Sequence, residues 1–471
     1  MKIFNSKNVK YNSVAWISTI VVIAVALIVS IIADMGVEKF KFKLDLTAEG
    51  VYQVSDKTKE IVRAIDKETT IYFLTDGSST ADSSIINFDE FLNNYLVLNN
   101  KIKLEKIDVV KNPSLVEKYL AENPNLRIYD LIIDNGENHK IVSAGGSFSQ
   151  MSENTPVVMN LEQNITSALA YVSTGKQSAL GLTTGHNESG AQLGLEELLS
   201  AENYKTMDVN LASGEIDPQI QTLAIVNPTL DFTEAEIVTL DKFFSEGKTA
   251  MLFMDASKSE LPILNKFLKE WGIEPQNTFV VENDKNSLAQ MGQNNLAMIL
   301  KQGDHEIMQP IKGGNIFAPF SLARSINITK VPGVSTEVLL KTSDKAYAKK
   351  DLDVAEKTEN DIAGVQNIGV ISTKQMVKDN QTVEAKMIVV GSSLMLYFAQ
   401  QEGANKQFLI NSTNYLNQRE DTVSIPAKAI TPEAIQITQT QFLIVIGIIL
   451  VLVPLLIFIA GIFICLRRRK L

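Results

Sequence analysis

The chain has 471 residues, 45% of them hydrophobic and 21% charged, with a formal net charge of −10. That is ordinary globular composition with room for two or three domains, and its acidity disfavours nucleic acid as a partner. The single cysteine, Cys465, and three unclustered histidines, His139, His186 and His305, exclude a disulfide framework and a thiol nucleophile and argue against a His-rich metal centre.

In chain order, Lys2, Lys7 and Lys10 precede an uncharged run over 13–33. We read residues 1–13 as a cytoplasmic N-terminus and 14–33 as a transmembrane helix. A signal peptide cleaved near Ile31 and Ala33 is the competing reading, although the run exceeds an ordinary signal core of about 7 to 15 residues. At the far end, 442–466 carries no charge and stops at Arg467, Arg468, Arg469 and Lys470. At about 1.5 Å per residue it reaches roughly 37 Å, enough to cross a hydrocarbon core of about 30 Å. Basic flanks mark the cytoplasmic side. Both termini, including the tail 467–471, are therefore expected in the cytoplasm and residues 34–441 outside it. With seven basic residues at the ends, that body keeps 37 Lys and Arg against 54 Asp and Glu, a net charge of about −17.

Residues 34–175 read as a first α/β domain. Phe40, Phe42 and Leu44 alternate with charge over 39–46, as in a half-buried strand. Ser55 caps a helix over 56–65. Strand 70–74, helix 88–98, strand 102–110, helix 114–121, strands 129–134 and 140–144, and helix 161–173 follow. The order β-α-β-α-β-β-α is that of a thioredoxin-like domain, a fold-level analogy. Thr75-Asp76-Gly77-Ser78 stands where a redox member carries Cys-x-x-Cys, so dithiol chemistry is excluded.

Residues 176–418 read as a second α/β domain. Strand 179–183 ends in Thr184-Gly185-His186-Asn187-Glu188 and leads to a helix with Leu193, Leu195, Leu198 and Leu199 as candidate core. Strands 206–211 and 222–226 come next. Thr233-Glu234-Ala235-Glu236 is a capping box opening a helix that buries Ile237, Leu240, Phe243 and Phe244. The apolar run 249–254 suits a central parallel strand, and Pro262 opens a helix facing the core through Leu264, Phe267, Leu268 and Trp271. From about 275 to 385 the pattern is an irregular insertion, with 349–361 an exposed charged excursion. Strand 386–390, Gly391-Ser392-Ser393 and two helices close the domain. Residues 419–441, with Pro426 and Pro432, read as a tether to the second membrane helix.

Taken together, Asp45-Leu46-Thr47 with Ser55 and Thr58, Asn227-Pro228 with Glu236, Leu240 and Gly247, and Pro454-Leu455-Leu456 with Gly461 and the closing arginines resemble the GldG-type auxiliary components of ABC transport systems. The resemblance spans nearly the whole chain. It implies a bacterial, membrane-anchored, non-ATPase subunit working beside a separate ATPase and a multi-spanning permease. It also implies that the second domain is a degenerate class I glutamine-amidotransferase-like unit with a Rossmann-like parallel sheet.

Candidate chemistry is sparse. His186 and Glu188 follow the first strand of the second domain, where open parallel sheets place ligands, and could act as acid and base or as metal ligands. The plainer reading is a polar loop turned by Gly185. Asp255 stands at another strand end, and capping the loop toward Pro262 is its plainer role. Gly391-Ser392-Ser393 lacks G-x-S-x-G and has no later histidine, so Ser393 reads as a helix cap. There is no phosphate-binding G-x-x-x-x-G-K-[ST]. No catalytic residue, cofactor or metal is expected. Pro454 and Gly461 are the candidate positions for close helix packing in lipid. The expected partners are the ATPase, the permease and the membrane, with a cell-envelope ligand as a further option. The alternatives are an envelope hydrolase using His186, Glu188 and Asp255, or a surface sensor or scaffold without a transporter.

Overall fold

The computed structural model describes residues 50–76, 86–120, 126–149, 157–257, 260–291, 294–319, 322–350, 357–378, 381–400, 403–417, 425 and 428–430. The strand expected over 39–46, the runs 14–33 and 442–466, and Pro454 and Gly461 lie outside these residues. Among the described residues no helix is long and apolar enough to cross a membrane.

Helix α1 (Asp56–Ala64) begins at Ser55, whose side chain accepts from the Thr58 N–H. A four-stranded sheet follows, built from β1 (Thr69–Thr75), β2 (Ile102–Asp108), β3 (Leu131–Asp134) and β4 (His139–Val142) in the order β2-β1-β3-β4. β1 runs parallel to β2 and antiparallel to β3. Alternation along β1 divides its faces: Ile71 and Phe73 pack with helices α2 (Phe88–Leu98) and α4 (Leu161–Thr174). Leu74 turns to the other side, against Val116 and Tyr119 of α3 (Pro113–Leu120).

Two short strands, β5 (Phe148–Ser149) and β6 (Val157–Met159), precede α4. The main ten-stranded sheet then starts with β7 (Ser178–Thr184), β8 (Tyr204–Asn210), β9 (Ile220–Val226) and β10 (Thr249–Phe253), all parallel. Residues 275–385, expected to be irregular, are largely strand. β11 (Ile273–Pro275) pairs with β16 (Ile326–Ile328), and β12 (Phe279–Val281) with β18 (Tyr347–Lys349), which also pairs with β19 (Ile362–Ala363). The others extend the main sheet: β13 (Leu288–Met291), β14 (Asn294–Gln302), β15 (Ile316–Pro319), β17 (Val334–Lys341) and β20 (Asn367–Lys378), antiparallel to one another. β21 (Gln381–Val390) joins the halves, antiparallel to β20 and parallel to β10, in the order β13-β14-β17-β20-β21-β10-β9-β7-β8 with β15 on β14.

Both faces of the parallel half are covered. Ala250 and Leu252 of β10 face Phe243 and Phe244 of α6 (Glu234–Ser245), Phe267 of α7 (Pro262–Lys269), and Trp271. Met251 and Phe253 face Leu199 of α5 (Leu195–Ala201), Leu396 of α8 (Met395–Ala399) and Phe408 of α9 (Ala404–Leu416). The unbroken apolar sequence of β10 follows from this double burial. Each fully buried phenylalanine contributes about 1.5–3 kcal/mol.

Within the 349–361 excursion Lys350, Lys357, Glu359 and Asn360 are exposed as expected, while its ends are pinned by a buried pair, Lys349 Nζ to Asp361 Oδ2 at 3.5 Å, with side chains only 6% and 0% exposed. The 419–441 tether contributes β22 (Lys428–Ile430), antiparallel to β6. Ile425 is buried, and its N–H donates to Gln163 Oε1 at 2.8 Å.

Candidate functional site

The loop after β7 leaves the sheet through Gly185 at φ +114° and Asn187 at φ +59°, both in the left-handed region. This path turns His186 inward, to 4% exposure. Its imidazole stacks on Phe232 with ring centres 3.9 Å apart and planes 5° from parallel. Its Nδ1 lies 3.4 Å from Glu188 Oε1 and its Nε2 lies 3.3 Å from Glu236 Oε2. The loop is also fixed through its backbone. The His186 N–H donates to Glu188 Oε2 at 2.8 Å, and its carbonyl accepts from Thr229 N–H at 2.9 Å.

Glu236 thus has two roles. It completes the capping box, accepting from the Thr233 N–H and hydroxyl at 2.8 Å each, while the Thr233 hydroxyl accepts from the Glu236 N–H. Burial raises the Glu236 carboxyl, but the Thr233 hydrogen bonds and His186 outweigh it and hold the group below its ordinary value. The Nδ1–Oε1 approach between His186 and Glu188 falls within ion-pair range without hydrogen-bond geometry. Both atoms are buried without a hydrogen-bond partner, as is Ser189 Oγ.

Asp255 belongs to a different cluster, at the ends of β10 and β21. Its Oδ1 accepts from Ser393 N–H, and its Oδ2 accepts from the Ser393 hydroxyl at 2.7 Å. Burial raises the Asp255 carboxyl, against the Ser393 hydrogen bonds and the charge of Arg324. Burial likewise pushes the Arg324 guanidinium down to about 10, opposed by Asp255, so it remains cationic at neutral pH. Arg324 Nε and Ser392 Oγ are buried without a hydrogen-bond partner. The helix opened by Pro262 is capped by Asp231, which accepts from Ile263 N–H at 2.8 Å and Leu264 N–H at 3.1 Å. Against the helix-cap expectation for Ser393, α8 starts from Leu394 without a side-chain cap, and the Ser393 hydroxyl donates to Asp255.

His186 and Glu188 are therefore brought together and Asp255 is held by Ser393. Both clusters sit at the carboxyl edge of the parallel strands, with Asn227 between them: its N–H donates to the Phe253 carbonyl at 2.7 Å, and its Oδ1 accepts from Asp255 N–H at 3.2 Å. Beside the His186 loop, a cleft of about 230 Å³ opens over β7, β8 and β9, lined by Thr184, Asn187, Glu188 and Asp208 above Leu182 and Val226. Among the described residues no group of three or more His, Cys, Asp or Glu side chains could hold a metal ion.

Residues 171–412, which include the whole ten-stranded sheet, match the family described as "ABC-type uncharacterized transport system". The chain belongs to that family. Membership associates it with an ABC transport system. Residues 48–145, which hold the four-stranded sheet, match a family described as a domain of unknown function. No curated protein matches the chain. Among solved structures it is similar to "mmIFT52 N-terminal domain", with 17% identity, a TM-score of 0.39, and coverage of 52% of this chain and 99% of that one. It is also similar to "Structure of PurLQS from Thermotoga maritima", with 9% identity, a TM-score of 0.27, and coverage of 51% and 100%.

Sequence reasoning missed Phe232 and the second role of Glu236 in this family member. The capping box marked Glu236 only as a local partner of Thr233. That the same helix start abuts the end of β7 depends on the sheet order, which no local pattern carries.

Proposed function

We propose that the chain is a membrane-anchored, non-catalytic auxiliary subunit of an ABC transport system, working with a separate ATPase and a multi-spanning permease. The family match across the main sheet carries this reading. In it, residues 14–33 and 442–466 are transmembrane helices, both termini are cytoplasmic, and residues 34–441 stand outside the cytoplasm, docking the permease. Residues 34–175 and 176–418 form two domains. The strand order β2-β1-β3-β4 favours a thioredoxin-like first domain, and the parallel half-sheet covered on both faces favours a Rossmann-like, amidotransferase-like second one. The GldG-type resemblance agrees with the same assignment.

Asp255 and Glu236 are tied into local contacts: Asp255 accepts two hydrogen bonds from Ser393, and Glu236 completes its capping box. The test is affinity capture of the tagged chain from detergent-solubilised membranes, with and without crosslinking. Recovery of an ATPase and a permease is expected; repeated recovery of the chain alone would sink the proposal.

A further inference from the structure

Arg324 carries a buried charge with no hydrogen-bonding partner. The segment just before β16 is laid across the carboxyl ends of β10 and β21 by backbone bonds: Ala256 N–H donates to the Leu322 carbonyl at 2.8 Å, and Arg324 N–H donates to the Gly391 carbonyl at 2.7 Å. Gly391 permits this approach, since a Cβ there would clash with the Arg324 carbonyl oxygen and lie 3.4 Å from Arg324 Cγ, so the side chain starts beside the end of β21. Arg324 is only 4% exposed. Among the described residues its guanidinium makes no hydrogen bond and no ion pair. Asp255 is its charged neighbour, yet both Asp255 oxygens are engaged by Ser393. Nε is enclosed; Nη1 and Nη2 are equally unbonded but keep access to the surface. Ser392, next after Gly391, is fully buried with its Oγ also unbonded. Burying a cation without hydrogen bonds is costly, and an orphaned buried donor marks the place of a missing partner.

We propose that the carboxyl edge of β10 and β21 binds a small organic acid, whose carboxylate is held by the Nη1 and Nη2 donors of Arg324. The planar guanidinium fork matches the two oxygens of a carboxylate. The negative charge of Asp255 close by penalises a dianion more than a monoanion, which favours a carboxylate over phosphate. The position is the usual one for ligands of open parallel sheets, outside the carboxyl ends of the strands. The site stands independently of the transporter assignment.

Titration calorimetry of the full chain in detergent micelles tests the site with sodium propionate, propionamide and inorganic phosphate, at an ionic strength held constant with sodium chloride so that screening does not differ between probes. Saturable binding of propionate is expected, with phosphate weaker and no binding of the uncharged amide. Arg324→Gln should weaken propionate about tenfold or more, through loss of the charge-assisted contact. Asp255→Asn removes the opposing negative charge and should tighten propionate binding severalfold, a gain that misfolding cannot imitate. Absence of saturable propionate binding, which would mean that water alone serves the guanidinium, overturns the proposal. So do binding of propionamide equal to that of propionate, phosphate binding at least as tightly as propionate, an affinity unchanged in folded Arg324→Gln, or no gain in Asp255→Asn. Affinity capture addresses the subunit role separately, so failure of either leaves the other standing.

Discussion

Lys428 Nζ lies 2.9 Å from Glu162 Oε2, joining the last described strand to the first turn of α4, with the Glu162 side chain only 4% exposed. Glu162 also accepts from Ser55 N–H at 2.6 Å and from the Thr58 hydroxyl at 2.7 Å. Lys428 donates in addition to the Gln53 carbonyl. One carboxylate therefore gathers the start of the body, its middle and its end.

Removing the cation should expose this dependence. Lys428→Met leaves a buried carboxylate with neutral donors only and should lower unfolding free energy by about 2 kcal/mol, below the roughly 3–5 kcal/mol of a fully dry pair because Ser55 and Thr58 remain. Adding Glu162→Gln should recover part of the loss. Urea denaturation of both single variants and the double variant measures the coupling, and simple additivity would show that there is none.

His186→Ala should destabilise by about 2–4 kcal/mol, since it strips the stacking partner of Phe232 and removes the imidazole that lies between Glu188 and Glu236. His186→Gln, which keeps polar contact, should lose less. The ranking of denaturation midpoints checks this.

The Glu236 carboxyl is held below its ordinary value of 4.5 in the folded chain. Above that value both states are ionised and its contribution is fully present. As pH falls toward the folded value, the unfolded chain takes up the proton first, and the contribution disappears. Glu236→Gln should therefore flatten the acid limb of stability against pH below 4.5, with little change in slope near neutrality. Asp255 has the opposite sign. Its folded value is raised, so its contribution is present in acid and lost as pH rises through that value.

Gly391→Ala should be severely destabilising, by about 3 kcal/mol or more. A Cβ there would stand 2.2 Å from the Arg324 carbonyl oxygen, a backbone atom with no rotamer to escape into. Soluble yield and thermal melting of the variant report the outcome.

For the proposed membrane contacts, Gly461→Leu should weaken recovery of the permease in affinity capture without blocking membrane insertion, because a small residue permits close helix approach in lipid. Fractionation and capture from the same preparation separate the two effects.

What could be read from sequence follows the range of the forces involved. The capping box at Thr233, the helix α2 and the apolar β10 are local patterns, and each appears where its pattern lies. Of the leucines after the His186 loop, Leu195 and Leu199 are buried while Leu193 and Leu198 are partly so, as an amphipathic edge gives. Strand β22 escaped notice because nearby Pro426 and Pro432 suggested an extended linker and its partner, β6, is remote in sequence. Asp255 was grouped with His186 because both end parallel strands; its bond to Ser393 depends on β21 lying next to β10, a relation set by topology.

The place of β21 also bears on how the molecule is made. Synthesis delivers β7 to β10 well before the strand that completes their sheet, and residues 381–390 must slot between β10 and β20 after both of those strands have emerged. Until then β10 is an apolar edge with an unpaired ladder, the kind of surface that recruits a neighbouring chain. Such non-local closure is slow to form. The nascent protein is thus most vulnerable to aggregation in the interval between translation of Phe253 and translation of Val390, and a chain cut short before β21 would keep that open edge permanently.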